Sequence, residues 1–193
     1  MSTEVAALGA MLEESGALRR GHFLLSSGLH SPAYVQCALL LEVPARARRV
    51  GEELAALLAP FRPDSVLSPA LGGLIVGHET AAALGVPFRF TERQGEAMAL
   101  RRGFELAAGE RVVVVEDVIT TGRSTRETIA VAEARGARPV AVGAIIDRSL
   151  GRHGFPVPLV ALTTLDLPTY PPDTCPLCAA GGTAEKPGSR PGR

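Results

Sequence analysis

Apolar runs and helix-patterned segments alternate along most of this chain. Residues 4–18 read as an amphipathic helix with Val5, Leu8, Met11 and Leu12 on one face. Residues 43–60 read as a second helix, with a proline in its first turn and an end at Pro60. Then "DSVLSP" (64–69) reads as a buried strand, "LIVGHETAAALG" (74–85) as a helix and "VPFRF" (86–90) as a strand. "RVVVVED" (111–117) is the clearest strand, an unbroken β-branched run of the kind covered on both faces. "STRETIAVAEARGA" (124–137) follows as a helix, with Ser124 and Glu127 in capping-box spacing and a glycine near its end. "RPVAVGAIID" (138–147) and "PLVALTT" (158–164) supply two more strands. Strands alternating with helices imply right-handed crossovers, hence an α/β fold: an open, mostly parallel five-stranded sheet with helices on both faces. Residues 21–41 are mixed and turn-rich, and suit short strands or a lobe outside that sheet. Residues 166–193, rich in proline and glycine, read as an extended or partly disordered tail. The expected division is therefore a domain over 1–165, with its outlying lobe in about 1–42, and a tail over 166–193.

Composition narrows the class. At 193 residues the chain can bury a real core, and 46% hydrophobic with 21% charged residues is a globular profile. Twenty basic and twenty acidic side chains cancel, so no overall field draws the protein to nucleic acid or a membrane. No run reaches the length of a membrane span, and the N-terminus lacks the layout of a signal peptide. Cys37, Cys175 and Cys178 are too few and too odd in number for a disulfide framework, so the expected compartment is the reducing cytoplasm. "CPLC" (175–178) has metal-ligand spacing, but a structural zinc site needs about four ligands. Cys175 and Cys178 are thus half of a zinc site completed by a second copy, or two thiols in a loose tail. Of the four histidines, His30 falls in the outlying lobe while His22, His78 and His153 show no evident partner, and none is assigned a role.

The chemistry concentrates in "RVVVVEDVITTGRS" (111–124), where the valine strand ends on Glu116 and Asp117. Ligands of open parallel sheets bind beyond the carboxyl ends of strands. Carboxylates placed there accept hydrogen bonds from the hydroxyls of a ribose. Thr120, Thr121, Gly122 and Ser124 then lead into a helix N-terminus, whose free N–H groups and dipole favour an anion. Acids for a diol followed by a hydroxyl-rich nest for a phosphate make a clamp for a ribose 5-phosphate. A nucleoside-triphosphate loop of the Walker type would end in glycine, lysine and a hydroxyl residue, which this stretch lacks.

That stretch resembles the signature loop with which type I phosphoribosyltransferases bind phosphoribosyl pyrophosphate. The resemblance implies that Glu116, Asp117, Val118, Ile119, Thr120, Thr121, Gly122, Arg123 and Ser124 bind this substrate. "SPALGGL" (68–74) is similar to the family's pyrophosphate loop, with Leu71, Gly72 and Gly73 offering backbone N–H groups to the diphosphate. "GHFLLSSGLHSPAYVQ" (21–36) resembles the hood that orotate phosphoribosyltransferases fold over the base, which implies Tyr34 and Val35 beside an orotate ring, with Thr120 below it. Arg148 falls where the family places an arginine near the orotate, and a guanidinium fork suits its carboxylate. "TERQGEAMALRRGF" (91–104) corresponds to the family's mobile lid, and Arg93 matches the arginine at its start. The chain departs from the family in having Ser26 where a lysine is frequent, and no lysine or histidine in the lid. Arg101 and Arg102 are then the candidates for supplying the lid's charge.

The implied reaction is transfer of the phosphoribosyl group to orotate, giving orotidine 5′-monophosphate and pyrophosphate in pyrimidine synthesis. It implies Asp117, Glu116 and Arg93 as catalytic residues, and Mg2+ carried by the diphosphate without direct protein ligands. It also implies a homodimer whose lid works across the interface. Two other readings stay open at this point. One is a phosphoribosyltransferase for a purine or uracil, the other a non-catalytic regulator that senses phosphoribosyl pyrophosphate.

Overall fold

The computed structural model describes residues 3–25 and 27–187. Ser26, and the side chain of Val5, lie outside the described residues. The elements run α1 (Thr3–Glu14), β1 (Leu18–Leu24), β2 (His30–Val35), α2 (Cys37–Leu41), α3 (Pro44–Leu58), β3 (Ser65–Pro69) and α4 (Gly73–Leu84). They continue as β4 (Phe88–Gln94), β5 (Ala97–Leu100), β6 (Arg111–Ile119), α5 (Arg123–Ala134), β7 (Arg138–Asp147), β8 (Leu159–Thr164) and α6 (Pro176–Ala179). Two compact units result: one runs from Leu41 to Leu165, and the other joins the chain up to Leu40 with Asp166 onward.

The larger unit is built on one sheet in the order β5-β4-β3-β6-β7-β8. Its neighbours pair in parallel except β4 and β5, which are antiparallel. The sheet thus has six strands rather than the expected five. The extra strand, β5, comes from the stretch that shows no period in the sequence. Its "AMAL" is only four residues long and flanked by charge, yet Met98 and Leu100 are buried. A two-residue loop makes the hairpin possible, since Gln94 pairs with Ala97 and Gly95 takes a φ of +63°.

The valine run behaves as its pattern demands, with Val112 to Val115 fully buried. Helices cover both faces, and β7 shows this by alternation. Val142 and Ala144 pack with Ile129 of α5, while a Cβ on Gly143 would stand 2.8 Å from Leu58 Cδ1 of α3 on the other face. Leu54 and Leu58 are wholly buried there, each contributing about 1.5–3 kcal/mol of apolar burial. Helices α3 and α4 approach closely because position 51 is glycine; a Cβ on Gly51 would lie 2.6 Å from Glu79.

In the smaller unit β1 and β2 form a separate antiparallel pair, the expected short strands outside the main sheet. Phe23 is buried there, its ring 5.9 Å from that of Tyr34. Residues 166–187 differ from the extended tail expected of them. They group with this hairpin and contain a 3-10 turn at Pro172–Thr174 as well as α6. Leu24 N–H donates to the Glu185 carbonyl at 2.8 Å, and the Tyr170 N–H donates to that of His30 at 2.9 Å. The hairpin edges thus satisfy backbone groups of a segment whose composition alone offers no periodic signal. No helix among the described residues is long and apolar enough to cross a membrane.

Candidate active site

The strand order reverses between β3 and β6, since the chain winds outward in one direction through β4 and in the other through β7. Such a switch point opens a crevice at the carboxyl ends of the two strands. Three chain segments leave the sheet at this edge: residues 70–72 after β3, 120–122 after β6, and Arg148 after β7.

At the end of β6 the apolar run carries Glu116 into the interior, where it is 6% exposed, with Asp117 half-buried beside it. The backbone N–H of Val118 donates to Asp117 Oδ1 at 2.7 Å, and the Ser124 hydroxyl donates to Glu116 Oε2 at 3.1 Å. Burial, then the adjacent Asp117 charge, push the Glu116 carboxyl up to about 8. Burial also raises Asp117 above its ordinary range. Near neutral pH the pair therefore shares a proton, and it can donate as well as accept hydrogen bonds. Two acids so placed gain from any ligand that brings hydroxyls or a cation.

The loop after β3 is pressed against this pair. A Cβ on Gly72 would stand 2.7 Å from Asp117 Oδ1, and one on Gly73 would stand 2.8 Å from the Val115 carbonyl. The Ala70–Leu71 peptide is cis, and the Leu71 side chain is 83% exposed. Helix α4 starts at Gly73, so its first-turn N–H groups, which have no intrahelical acceptor, lie next to the carboxylates. The loop after β6 mirrors this arrangement. Gly122 adopts a φ of +70°, and a Cβ there would lie 2.8 Å from the Phe155 ring, so glycine is required both by conformation and by space.

Helix α5 begins at Arg123 with Gly122 as its N-cap and no side-chain cap. The expected capping box does not form. Ser124 serves the buried Glu116 carboxylate instead, and Glu127 binds Arg123 at 2.8 Å and Arg93 at 2.7 Å. A buried acid is the stronger claimant for a nearby hydroxyl. Glu127 is the site neighbour that the sequence reading missed, although its i, i+4 spacing from Arg123 was a usable sign.

The structure brings Glu116, Asp117, Leu71, Gly72, Gly73, Gly122, Arg123 and Ser124 around one sheet edge. Thr120 and Thr121 are exposed on the loop, and the Thr121 carbonyl accepts from Arg126 Nη1 at 2.7 Å. Val118 offers backbone only to the acids, and the Ile119 side chain is in the core with Ile129. Arg148 follows β7, its N–H donating to the Ile119 carbonyl at 2.8 Å. Its Nε is buried without a hydrogen-bond partner, and burial alone lowers the guanidinium's affinity for a proton. Arg93 is held by Glu127, while Arg101 and Arg102 are held by Glu92 at 3.7 and 2.9 Å. Tyr34 and Val35 end β2 in the smaller unit.

The sequence pattern of the phosphoribosyl transferase domain matches residues 36–153, more than half the chain. The chain belongs to the phosphoribosyl transferase family. The matched span contains both glycine loops, the acid pair and Arg148. Similar proteins include an orotate phosphoribosyltransferase of Thermotoga maritima, 52% identical over 93% of this chain and 96% of that protein. Another, from Heliobacterium modesticaldum, is 50% identical over 93% and 95%. The crystal structure of orotate phosphoribosyltransferase from Aeropyrum pernix superposes with a TM-score of 0.67 at 30% identity, covering 82% of this chain and 93% of that one.

Proposed function

We infer that this phosphoribosyl transferase acts on orotate, forming orotidine 5′-monophosphate and pyrophosphate from phosphoribosyl pyrophosphate in pyrimidine synthesis. The observation that carries this reading is the agreement, at about half identity over nearly the whole chain, with relatives that bear the orotate name. The half-buried Arg148 supports it, because a cation with an unpartnered Nε is matched by a base that carries a carboxylate. A purine or uracil as acceptor would leave that guanidinium unanswered. A purely sensing role has no support among these relatives.

In the reaction the bond from ribose C1 to the diphosphate oxygen breaks, N1 of orotate bonds to C1, and the N1 proton leaves. Positive charge develops on the sugar while negative charge gathers on the diphosphate. Glu116 and Asp117 hold the ribose hydroxyls, the 120–124 loop with the α5 N-terminus anchors the 5′-phosphate, and the N–H groups of 71–73 meet the diphosphate. Holding both reactants in line accounts for much of the rate. The donor set also fits magnesium carried by the diphosphate, since two carboxylates with raised proton affinity gain from a nearby cation. When bound, magnesium neutralises charge on the leaving group. Arg93, freed from Glu127, adds to that neutralisation, with Arg101 and Arg102 as further lid cations. A cytoplasmic homodimer whose β4–β5 lid serves the neighbouring site completes the proposal.

The test is an absorbance assay at the orotate band with protein, magnesium and phosphoribosyl pyrophosphate, with uracil and adenine as competing bases. Orotate should be consumed only in the complete mixture, and not by Asp117→Asn. Turnover of adenine or uracil in place of orotate would reject the assignment.

A further inference from the structure

Four side chains with no part in the transfer chemistry converge in the smaller unit. His22 lies on β1, His30 opens β2, Cys175 immediately precedes α6 and Cys178 lies within it. One ligating atom of each falls within 4.8 Å of all the others. His22 Nε2 is 2.8 Å from His30 Nδ1, 3.6 Å from Cys175 Sγ and 3.7 Å from Cys178 Sγ, and Cys178 Sγ is 3.3 Å from His30 Nδ1. Cys175 and His30 are buried.

We propose that His22, His30, Cys175 and Cys178 form a structural zinc site that ties the C-terminal segment to the N-terminal hairpin. Zinc takes thiolate at about 2.3 Å and imidazole nitrogen at about 2.0–2.1 Å in a tetrahedron. Those bond lengths make ligand-to-ligand edges of roughly 3.3–3.8 Å, the range in which the His22–Cys175, His22–Cys178 and His30–Cys178 separations fall. The two imidazole nitrogens sit closer, and opening them by about half an ångström brings that edge into the same range. Two soft thiolates with two imidazoles select zinc over the hard divalent cations. Four protein ligands leave no open position, so the site is structural and not catalytic. This corrects the sequence reading on one point. The "CPLC" pair needs no second copy of the chain, because β1 and β2 supply the missing half.

The fold prepares the site without the ion. Leu24 pairs with His30 across the hairpin, which brings the two imidazoles together. Backbone bonds from Glu185 to His22 and from Tyr170 to His30 bring the C-terminal segment beside the same two residues. Binding then deprotonates the two thiols and releases two protons, and it cross-links positions about 150 residues apart. The thermodynamic gain falls on the smaller unit, which holds all four ligands.

Protein made without an affinity tag and purified under reductant is analysed for metal by plasma mass spectrometry. About one zinc per chain is expected, falling below about a tenth in the Cys175→Ser/Cys178→Ser double variant. Cobalt added to stripped wild type should give tetrahedral visible bands and thiolate charge-transfer absorption, both absent from the double variant. A chelator should lower the melting temperature of wild type, with zinc restoring it. The inference is overturned if reduced wild type holds no zinc and gives no cobalt spectrum, or if the double variant keeps its metal. It is equally overturned if thiol titration of the protein as purified finds Cys175 and Cys178 joined as a disulfide. Metal content is read without any turnover, so this result is independent of whether orotate is the substrate.

Discussion

Replacing Glu116 by glutamine should make the protein more stable, by an amount that grows with pH. Burial and the neighbouring Asp117 charge move the Glu116 carboxyl from 4.5 to about 8, while the unfolded chain titrates it near 4.5. Between those values the native state holds a proton that the unfolded state has released. Stability is therefore fully present below about pH 4.5 and is lost as pH rises through 8. A displacement of that size sets a ceiling of ~5 kcal/mol on the loss, and it belongs to the acid pair jointly. Glutamine keeps the volume and an acceptor for the Ser124 hydroxyl, and removes one of the two charges. Because Asp117 stays buried, the expected gain at pH 9 is on the order of 3 kcal/mol, shrinking toward zero at pH 5. Urea unfolding of both proteins at pH 5, 7 and 9 measures the difference directly, and other titrating groups cancel in it. A variant less stable than wild type at pH 9, or a difference independent of pH, would refute the reasoning. Transfer activity should fall in the same variant, since the acid is kept for its ligand at the expense of the fold.

Gly72→Ala should leave folding intact and damage the site. The backbone there is helical (φ −57°, ψ −41°), so alanine is not strained, but its Cβ would come within 2.7–2.9 Å of the Asp117 carboxylate. kcat/KM for phosphoribosyl pyrophosphate should drop about 100-fold with stability nearly unchanged, and steady-state kinetics showing wild-type values would contradict the packing argument. Arg148→Gln should lower kcat/KM for orotate by about 10²–10³-fold, since a charge-assisted bond to a carboxylate is lost, without destabilising a fold that holds its Nε buried and unpartnered. An unchanged orotate KM in that variant, with a lower melting temperature, would make Arg148 a structural residue.

What could be read from the chain was whatever a short window contains. The valine run, the acids that end it and the glycines at 72, 73 and 122 are each local signals, and each keeps its place in the fold because the strand and turn that need it lie within the same few residues. The capping box was also a local signal, and it failed because Glu116, eight residues before Ser124, is buried and draws the hydroxyl away from the helix end. Strand β5 was lost for a different reason. A four-residue edge strand has too few positions for a period to show, and its partner β4 defines it more than its own residues do. The His22, His30, Cys175 and Cys178 cluster is the extreme case. The cysteine pair shows ligand spacing but the histidines look idle in their own window, and only the pairing of β1 with β2, and of both with residues 170 and 185, brings the two halves together.

The larger unit shows why an acid pair that weakens the fold can persist at this edge. The neighbours of Glu116 and Asp117 do not neutralise them: Gly72 and Gly73 contribute backbone alone and Ser124 a neutral hydroxyl. A fold optimised for stability alone would set a cation against the pair. Leaving the carboxylates short of a counter-charge keeps their hydrogen-bonding capacity for a ligand that brings hydroxyls of its own. Binding energy is then largest where the reaction needs positioning, and the free protein bears the corresponding loss of stability.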